Sequence, residues 1–179
     1  DYIMKKLIKN GFVVDGSGEK RYKADVLING DKIEKIGTID NVEGAEVIDA
    51  TGKIVAPGFI DTHSHSDLKV LIEPFIEPKL RQGITTEILG QDGISMAPLP
   101  KEFVSSWRKN LAGLDGDSDL LAWDWETTDK YLDLIAKSGS GPNEMYLVPH
   151  GNIRMEAMGL EARVATDEEL AKMRDITRR

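Results

Sequence analysis

Pro57-Gly58-Phe59-Ile60-Asp61-Thr62-His63-Ser64-His65-Ser66-Asp67 is the stretch on which the reading of the fold turns. An apolar run, Lys53 to Val55, leads into it through Ala56 and a Pro-Gly turn. Phe59 to Thr62 then reads as a short buried strand that ends in two histidines. Side chains at i and i+2 of a strand project to one face, so His63 and His65 are expected to present both imidazoles at the strand's C-terminal end. That is a metal-ligand spacing, and a bare His-x-His is also an ordinary surface feature.

Downstream of this stretch the chain alternates strand with helix, the rhythm of βαβ units and a parallel sheet. Glu73 to Gln82 reads as a short helix interrupted by Pro74 and Pro78 and stopped by Gly83. Ile84 to Leu89 is a second strand, rich in β-branched residues. Lys101 to Leu111 places Phe103, Val104, Trp107 and Leu111 on one helical face, and Gly113 to Asp119 is an acidic loop. Thr128 is expected to cap a helix reaching Lys137, and Met145 to Val148 to form a third strand that ends at His150. Thr166, with Glu169 three residues on, has the capping-box pattern of a last helix.

Upstream the pattern is different. Leu7, Ile8, Phe12, Val13 and Val14 are strand-like with Asn10-Gly11 as an expected turn, and Asp25 to Asn29 turns through Gly30-Asp31 into Lys32 to Gly37. Val47-Ile48 and Lys53 to Val55 add two more short strands. Close-spaced strands with glycine turns predict a small antiparallel sheet over residues 1–56, followed by a strand-helix region over 57–179.

Composition narrows the classes. Twenty-three Lys and Arg against 31 Asp and Glu give a net charge of −8, which argues against nucleic acid or an anionic membrane as the main partner. There is no cysteine, hence no disulfide framework and no thiolate ligand or nucleophile. No run of about 18 apolar residues and no signal-peptide core is present, so a cytoplasmic protein is the expectation.

The opening motif, through His65, resembles the first barrel strand of the amidohydrolase superfamily, metal-dependent hydrolases built on a (β/α)8 barrel. Gly83 to Ser95 and Leu147 to Arg154 narrow the resemblance to the N-acyl-D-amino-acid deacylases, or D-aminoacylases, and it extends from Lys6 to the last residue. It implies an α/β fold: an incomplete barrel of about the first three strand-helix units, preceded by part of a small antiparallel β-sandwich. A closed barrel needs eight strands and typically about 250 residues, so these units cannot close one alone.

The resemblance also implies hydrolysis of the amide of an N-acyl-D-amino acid at a divalent metal, zinc before manganese, with one or two ions. His63, His65 and Asp92 are the expected metal ligands and His150 the expected substrate contact. Many members of the branch place a metal-ligating cysteine in a Gly-x-Cys-Gly-like stretch, where this chain has Gly90-Gln91-Asp92-Gly93. A carboxylate is a harder donor and shifts preference away from soft metals; Asp92 beside Gly93 also fits a plain turn. Asp67 is open to two readings, partner of a ligating imidazole or cap of the segment after the strand; Arg154 to a bidentate contact with an anionic substrate or a surface ion pair. Trp107, Trp123 and Trp125 read as packing residues. Two further histidine ligands and a proton-shuttling aspartate are expected beyond Arg179, in the remainder of the barrel or a complementary chain. The readings set beside this one are a cyclic-amide hydrolase of the hydantoinase or dihydroorotase kind and a non-catalytic fragment that pairs with a partner through an open third strand.

Overall fold

The computed structural model describes residues 5–179. Two compact units divide the chain, one ending at Pro57 and one beginning at Gly58.

The first unit is a five-stranded sheet centred on β1 (Lys6–Val13). β2 (Tyr22–Asn29) and β3 (Lys32–Gly37) follow as antiparallel neighbours, whereas β4 (Glu46–Asp49) and β5 (Ile54–Val55) lie parallel to β1 on its other side. The sheet is therefore mixed, not antiparallel as expected. After β3 the chain crosses to the far edge of β1 instead of turning back by a hairpin, with Ile39 of the crossing buried against Leu7 and Leu27. Asn10-Gly11 is likewise no turn. β1 runs through it with a bulge between Ile8 and Gly11. Asn10 takes φ 66° there, and its amide donates to Asp25 Oδ1 at 2.8 Å. The Asn10 amide, joined by that of Ile39, holds Asp25 below the usual carboxylate range.

The second unit carries a parallel sheet in the order β6 (Phe59–Asp61), β7 (Ile84–Leu89), β8 (Asn143–Tyr146). Between β6 and β7 stand α1 (Lys69–Ile72) and α2 (Glu77–Leu80), so the helix expected over 73–82 is cut short by Pro74 and another turn forms ahead of it. Between β7 and β8 lie a 3-10 turn at Lys101–Phe103, α3 (Val104–Leu111) and α4 (Thr128–Ser138), and after β8 come α5 (His150–Met158) and α6 (Asp167–Arg178). The larger of two apolar clusters in this unit buries Leu89, Met96, Leu111, Tyr131 and the three tryptophans, and the smaller joins Ile153 of α5 to Met173 and Ile176 of α6. The indole N–H groups of Trp107, Trp123 and Trp125 donate to the carbonyls of Ser95, Ser118 and Met96, the packing role expected of them.

Two strands depart from expectation. β6 stops at Asp61 and is an edge strand, with Phe59 64% and Ile60 60% exposed instead of buried. β8 begins two residues earlier than expected, its Tyr146 hydroxyl bonded to both the amide and the carbonyl of Ala97. α5 has no counterpart in the sequence reading. No helix among the described residues is long and apolar enough to cross a membrane.

The capping box forms as read: Thr166 Oγ1 accepts from the Glu169 amide at 3.2 Å, and Glu169 accepts from the Thr166 amide at 2.8 Å. Thr166→Ala is expected to lower unfolding free energy by about 1 kcal/mol, measured by urea denaturation with an unchanged slope; a shift below about 0.3 kcal/mol would show that α6 is held by packing alone.

Candidate metal centre

The centre forms where the ends of β6 and β7 meet. Beyond Asp61 the chain stays extended, and the Ser64 amide donates to the Ile88 carbonyl at 3.2 Å, keeping the His63–His65 segment beside β7. Asp61 accepts the His63 amide at 3.2 Å. β7 closes on Gly90, at φ 77°, where a Cβ would sit 2.0 Å from the Leu147 carbonyl oxygen, so no side chain fits. Asp92 follows in a tight turn at φ 58°, ψ 13°, a left-handed conformation that Asp tolerates better than most residues. Gln91 pins that turn to the end of the first strand: its Nε2 donates to Thr62 O at 3.0 Å and Ile88 O at 2.8 Å.

The consequence is convergence. Asp92 Oδ2 lies 3.4 Å from His63 Nε2 and 3.1 Å from His65 Nε2, and the two imidazoles are tilted by 59° with centroids 5.3 Å apart. Asp92 is thus both the turn residue and a partner of the two histidines. His65 reaches inward with its other nitrogen, Nδ1, 3.1 Å from Asp115 Oδ1, whose side chain is fully buried. An ionised carboxylate only accepts, so the proton of this contact belongs on Nδ1. In the neutral ring Nε2 is then a lone pair facing the Asp92 carboxylate, and two acceptors cannot hydrogen-bond to each other; in the imidazolium each nitrogen donates to one carboxylate. A cation answers that arrangement. Ligand atoms of a tetrahedral zinc site, with bonds of about 2.0–2.2 Å, stand about 3.3–3.5 Å apart, close to the separations here. Two imidazoles and a carboxylate suit zinc or a similar divalent ion.

Asp115 lies in the acidic Gly113–Asp119 loop and was not singled out in the sequence. Asp67, the carboxylate that was, accepts through Oδ1 from the Gly90 amide at 2.9 Å and from the Ser95 hydroxyl, and with His65 and Asp115 it forms a second group of donors whose atoms lie within 4.8 Å of one another. Burial raises Asp67, and burial followed by the Asp67 charge pushes Asp115 up to about 6, against the pull of His65. Each keeps one buried oxygen, Oδ2, without a partner.

His150 is exposed in the first turn of α5 and joins neither group of clustered donors. Its neighbour Gly151 nevertheless packs on the Asp92 turn: a Cβ there would lie 2.7 Å from Gly93 O. Arg154 spends its guanidinium on the carbonyls of Glu161 and Arg163 and so ties down the loop before α6; it makes no ion pair among the described residues.

A second polar network lies between the strands. Lys79 Nζ contacts Asp61, Ser64 Oγ at 3.2 Å and Glu87 Oε1 at 3.2 Å, and Ser64 Oγ donates to Glu87 Oε2 at 2.9 Å. Ser64 stands between the two histidines, so this network anchors their backbone. Glu144 sits opposite Glu87 in the β7–β8 register. Burial, then the Glu87 and Asp67 charges, push Glu144 up to about 7, while Ser140 and Lys79 oppose the shift.

Comparison with known proteins places this geometry. Residues 46–179 match the amidohydrolase family, and the chain belongs to it. Within that family it is 35% identical to a D-aminoacylase of Alcaligenes xylosoxydans xylosoxydans over 95% of this chain and 34% of the relative. It is 41% identical to an N-acyl-D-glutamate deacylase of the same organism, over 85% of this chain and 30% of the relative. The solved N-acyl-D-glutamate deacylase of Bordetella bronchiseptica, complexed with zinc and a phosphonate inhibitor, superposes with a TM-score of 0.83 at 32% identity, over 97% of this chain and 35% of that one. The chain thus spans about a third of the length of the relatives it matches.

The Glu144 environment sets a pH dependence. Its folded value of about 7 lies above the ordinary 4.5, so its contribution to stability is full below pH 4.5 and is lost as pH rises through about 7. Urea midpoints of the wild type should therefore fall from pH 5 to pH 8 more steeply than those of Glu144→Gln. A constant difference between the two proteins across that range would rule the effect out.

Proposed function

We propose that this chain supplies the first part of the metal centre of a hydrolase that cleaves the amide bond of N-acyl-D-amino acids. One observation carries the reading: donor atoms of His63, His65 and Asp92 converge within 4.8 Å of one another, with His65 turning Nε2 to the point of convergence and Nδ1 to Asp115. The deacylases among its relatives support the substrate class. In the reaction a water oxygen bonds to the acyl carbon, the C–N bond breaks, and the nitrogen leaves with a proton as the free amine. A divalent ion held by His63, His65 and Asp92, zinc first among the candidates, supplies the Lewis acidity such a cleavage needs.

The chain's own residues do the holding and orienting. Side chains of His63 and Asp92 are 57% and 53% exposed and leave the mouth of the site open, while His65, at 23%, lies deeper. His150, next to the Gly151 that packs on the Asp92 turn, is the substrate contact of this reading. The reading makes β6, β7 and β8 the first three strands of a (β/α)8 barrel. Both outer strands then present free edges to further strands, from the rest of the barrel or a complementary chain, and with them the proton-transferring residue.

The test is hydrolysis of N-acyl-D-amino acids by the chain together with the rest of the barrel or its complementary chain, read together with metal content; this chain alone is expected to be inactive. Chelation should abolish the activity and zinc restore it. His63→Ala with His65→Ala should lower metal affinity by more than about 100-fold, beyond the 10–100-fold typical of losing an outer partner. His150→Ala should raise KM with kcat little changed. Turnover that survives both chelation and the double substitution would sink the reading, and cleavage of cyclic amides in place of N-acyl-D-amino acids would move it to the hydantoinase class.

A further inference from the structure

We infer that Asp115 is a positioning residue for His65, holding the imidazole with its proton on Nδ1 so that Nε2 is a bare, strengthened donor at the metal centre. The inference rests on the metal-centre reading above and adds a residue to it. Asp115 Oδ1 lies 3.1 Å from His65 Nδ1, and among the described residues that is its one hydrogen bond to a side chain and Oδ2 is buried without a partner. For the fold alone this is a poor arrangement. A buried carboxylate with half its acceptors unused costs stability that an apolar residue of similar size would not. Its return lies in what it does to the ring: a carboxylate on one imidazole nitrogen fixes the tautomer and ring rotation and makes the other nitrogen more basic.

The loop is built to deliver the group. The Asp115 amide closes a turn on the Leu111 carbonyl at 2.9 Å at the end of α3, and Leu111 is wholly buried. On the far side Arg108 grips Asp117 through Nε at 2.6 Å and Nη2 at 3.1 Å and takes Asp119 at 2.5 Å, with its guanidinium 5.1 Å from the Trp123 ring centroid. The two exposed acids are neutralised outside while the third is turned in. Asp67, the other buried carboxylate nearby, gives Oδ1 to Gly90 and Ser95, and the bond to Nδ1 comes from Asp115.

The test compares the purified wild-type protein, Asp115→Leu, His65→Ala and the double variant by competition titration with Zn²⁺ alone, by thermal unfolding, and by ¹⁵N NMR of the imidazoles without metal. Asp115→Leu should weaken zinc binding about 10–100-fold while leaving Tm unchanged or raised. Added to His65→Ala it should cause no further loss, because the effect passes through that ring. The wild-type His65 signals should report a proton on Nδ1, and those of Asp115→Leu a mixture. Equal losses in both backgrounds, unchanged affinity in Asp115→Leu, or a wild-type His65 protonated on Nε2 would each overturn the inference while the metal centre stood. A wild-type protein that binds no zinc would remove the metal centre and this inference together. Should Asp115→Leu not fold, Asp115→Asn keeps the shape without the charge. A several-fold loss is then expected, and unchanged affinity overturns the inference.

Discussion

Three ligand atoms that converge within 4.8 Å, with Asp92 Oδ2 3.4 Å and 3.1 Å from the two imidazole nitrogens, are the constraint around which the second unit is arranged. Left alone, two imidazole nitrogens and a carboxylate oxygen would separate or capture a proton. Here each donor is anchored by groups that do not touch the point of convergence. Gln91 fastens the Asp92 turn to the carbonyls of Thr62 and Ile88. Asp61 and Ser64 fix the backbone on either side of His63 and are themselves tied by Lys79 to Glu87 on the neighbouring strand. Binding a cation then requires little rearrangement, and the ordering cost is met when the chain folds.

The interior is correspondingly acidic. Asp67, Glu87 and Asp115 are buried, Glu144 is half-buried, and Lys79 is the cation that reaches Glu87 among the described residues. Such an excess of carboxylates is costly for folding unless protons or cations compensate it, and the raised values of Asp67, Asp115 and Glu144 are the measure of that cost. The same excess creates a field that favours a positive ion near His65. Stability and site chemistry pull in opposite directions here, as they commonly do where a fold is built around a reactive centre.

Much of this was legible from residues close in sequence. His63 and His65 are separated by one residue, and Asp92 sits in a Gly-rich turn after a β-branched strand; both signals are local. So is the Thr166 capping box. What escaped depends on tertiary approach. Asp115 is 50 residues from His65, in a loop whose acidity alone suggests a solvated surface. α5 hides because its buried residues, Asn152, Ile153, Met155 and Met158, do not trace one apolar stripe, and the most deeply buried of them is polar. Asn152 earns its place by bonding both the amide and the carbonyl of Ser95, contacts 57 residues apart. Asn10-Gly11 read as a turn because its dipeptide preference is strong, yet the Asp25 carboxylate rewards a bulge within a continuous strand instead. The parallel placement of β4 and β5 turned on a crossover that no local pattern encodes.

The contacts that bring the three donors together lie within a narrow span. From Asp61, which accepts the His63 amide, to Asp115, which meets His65, each anchoring group of the first two strands is supplied by the segment between them. Later elements brace this arrangement from behind: Leu147 crosses Gly90, and Asn152 holds Ser95, whose hydroxyl in turn holds Asp67. None of these braces touches the point of convergence. The order of construction follows from sequence distance, since short loops close at lower entropic cost than long ones.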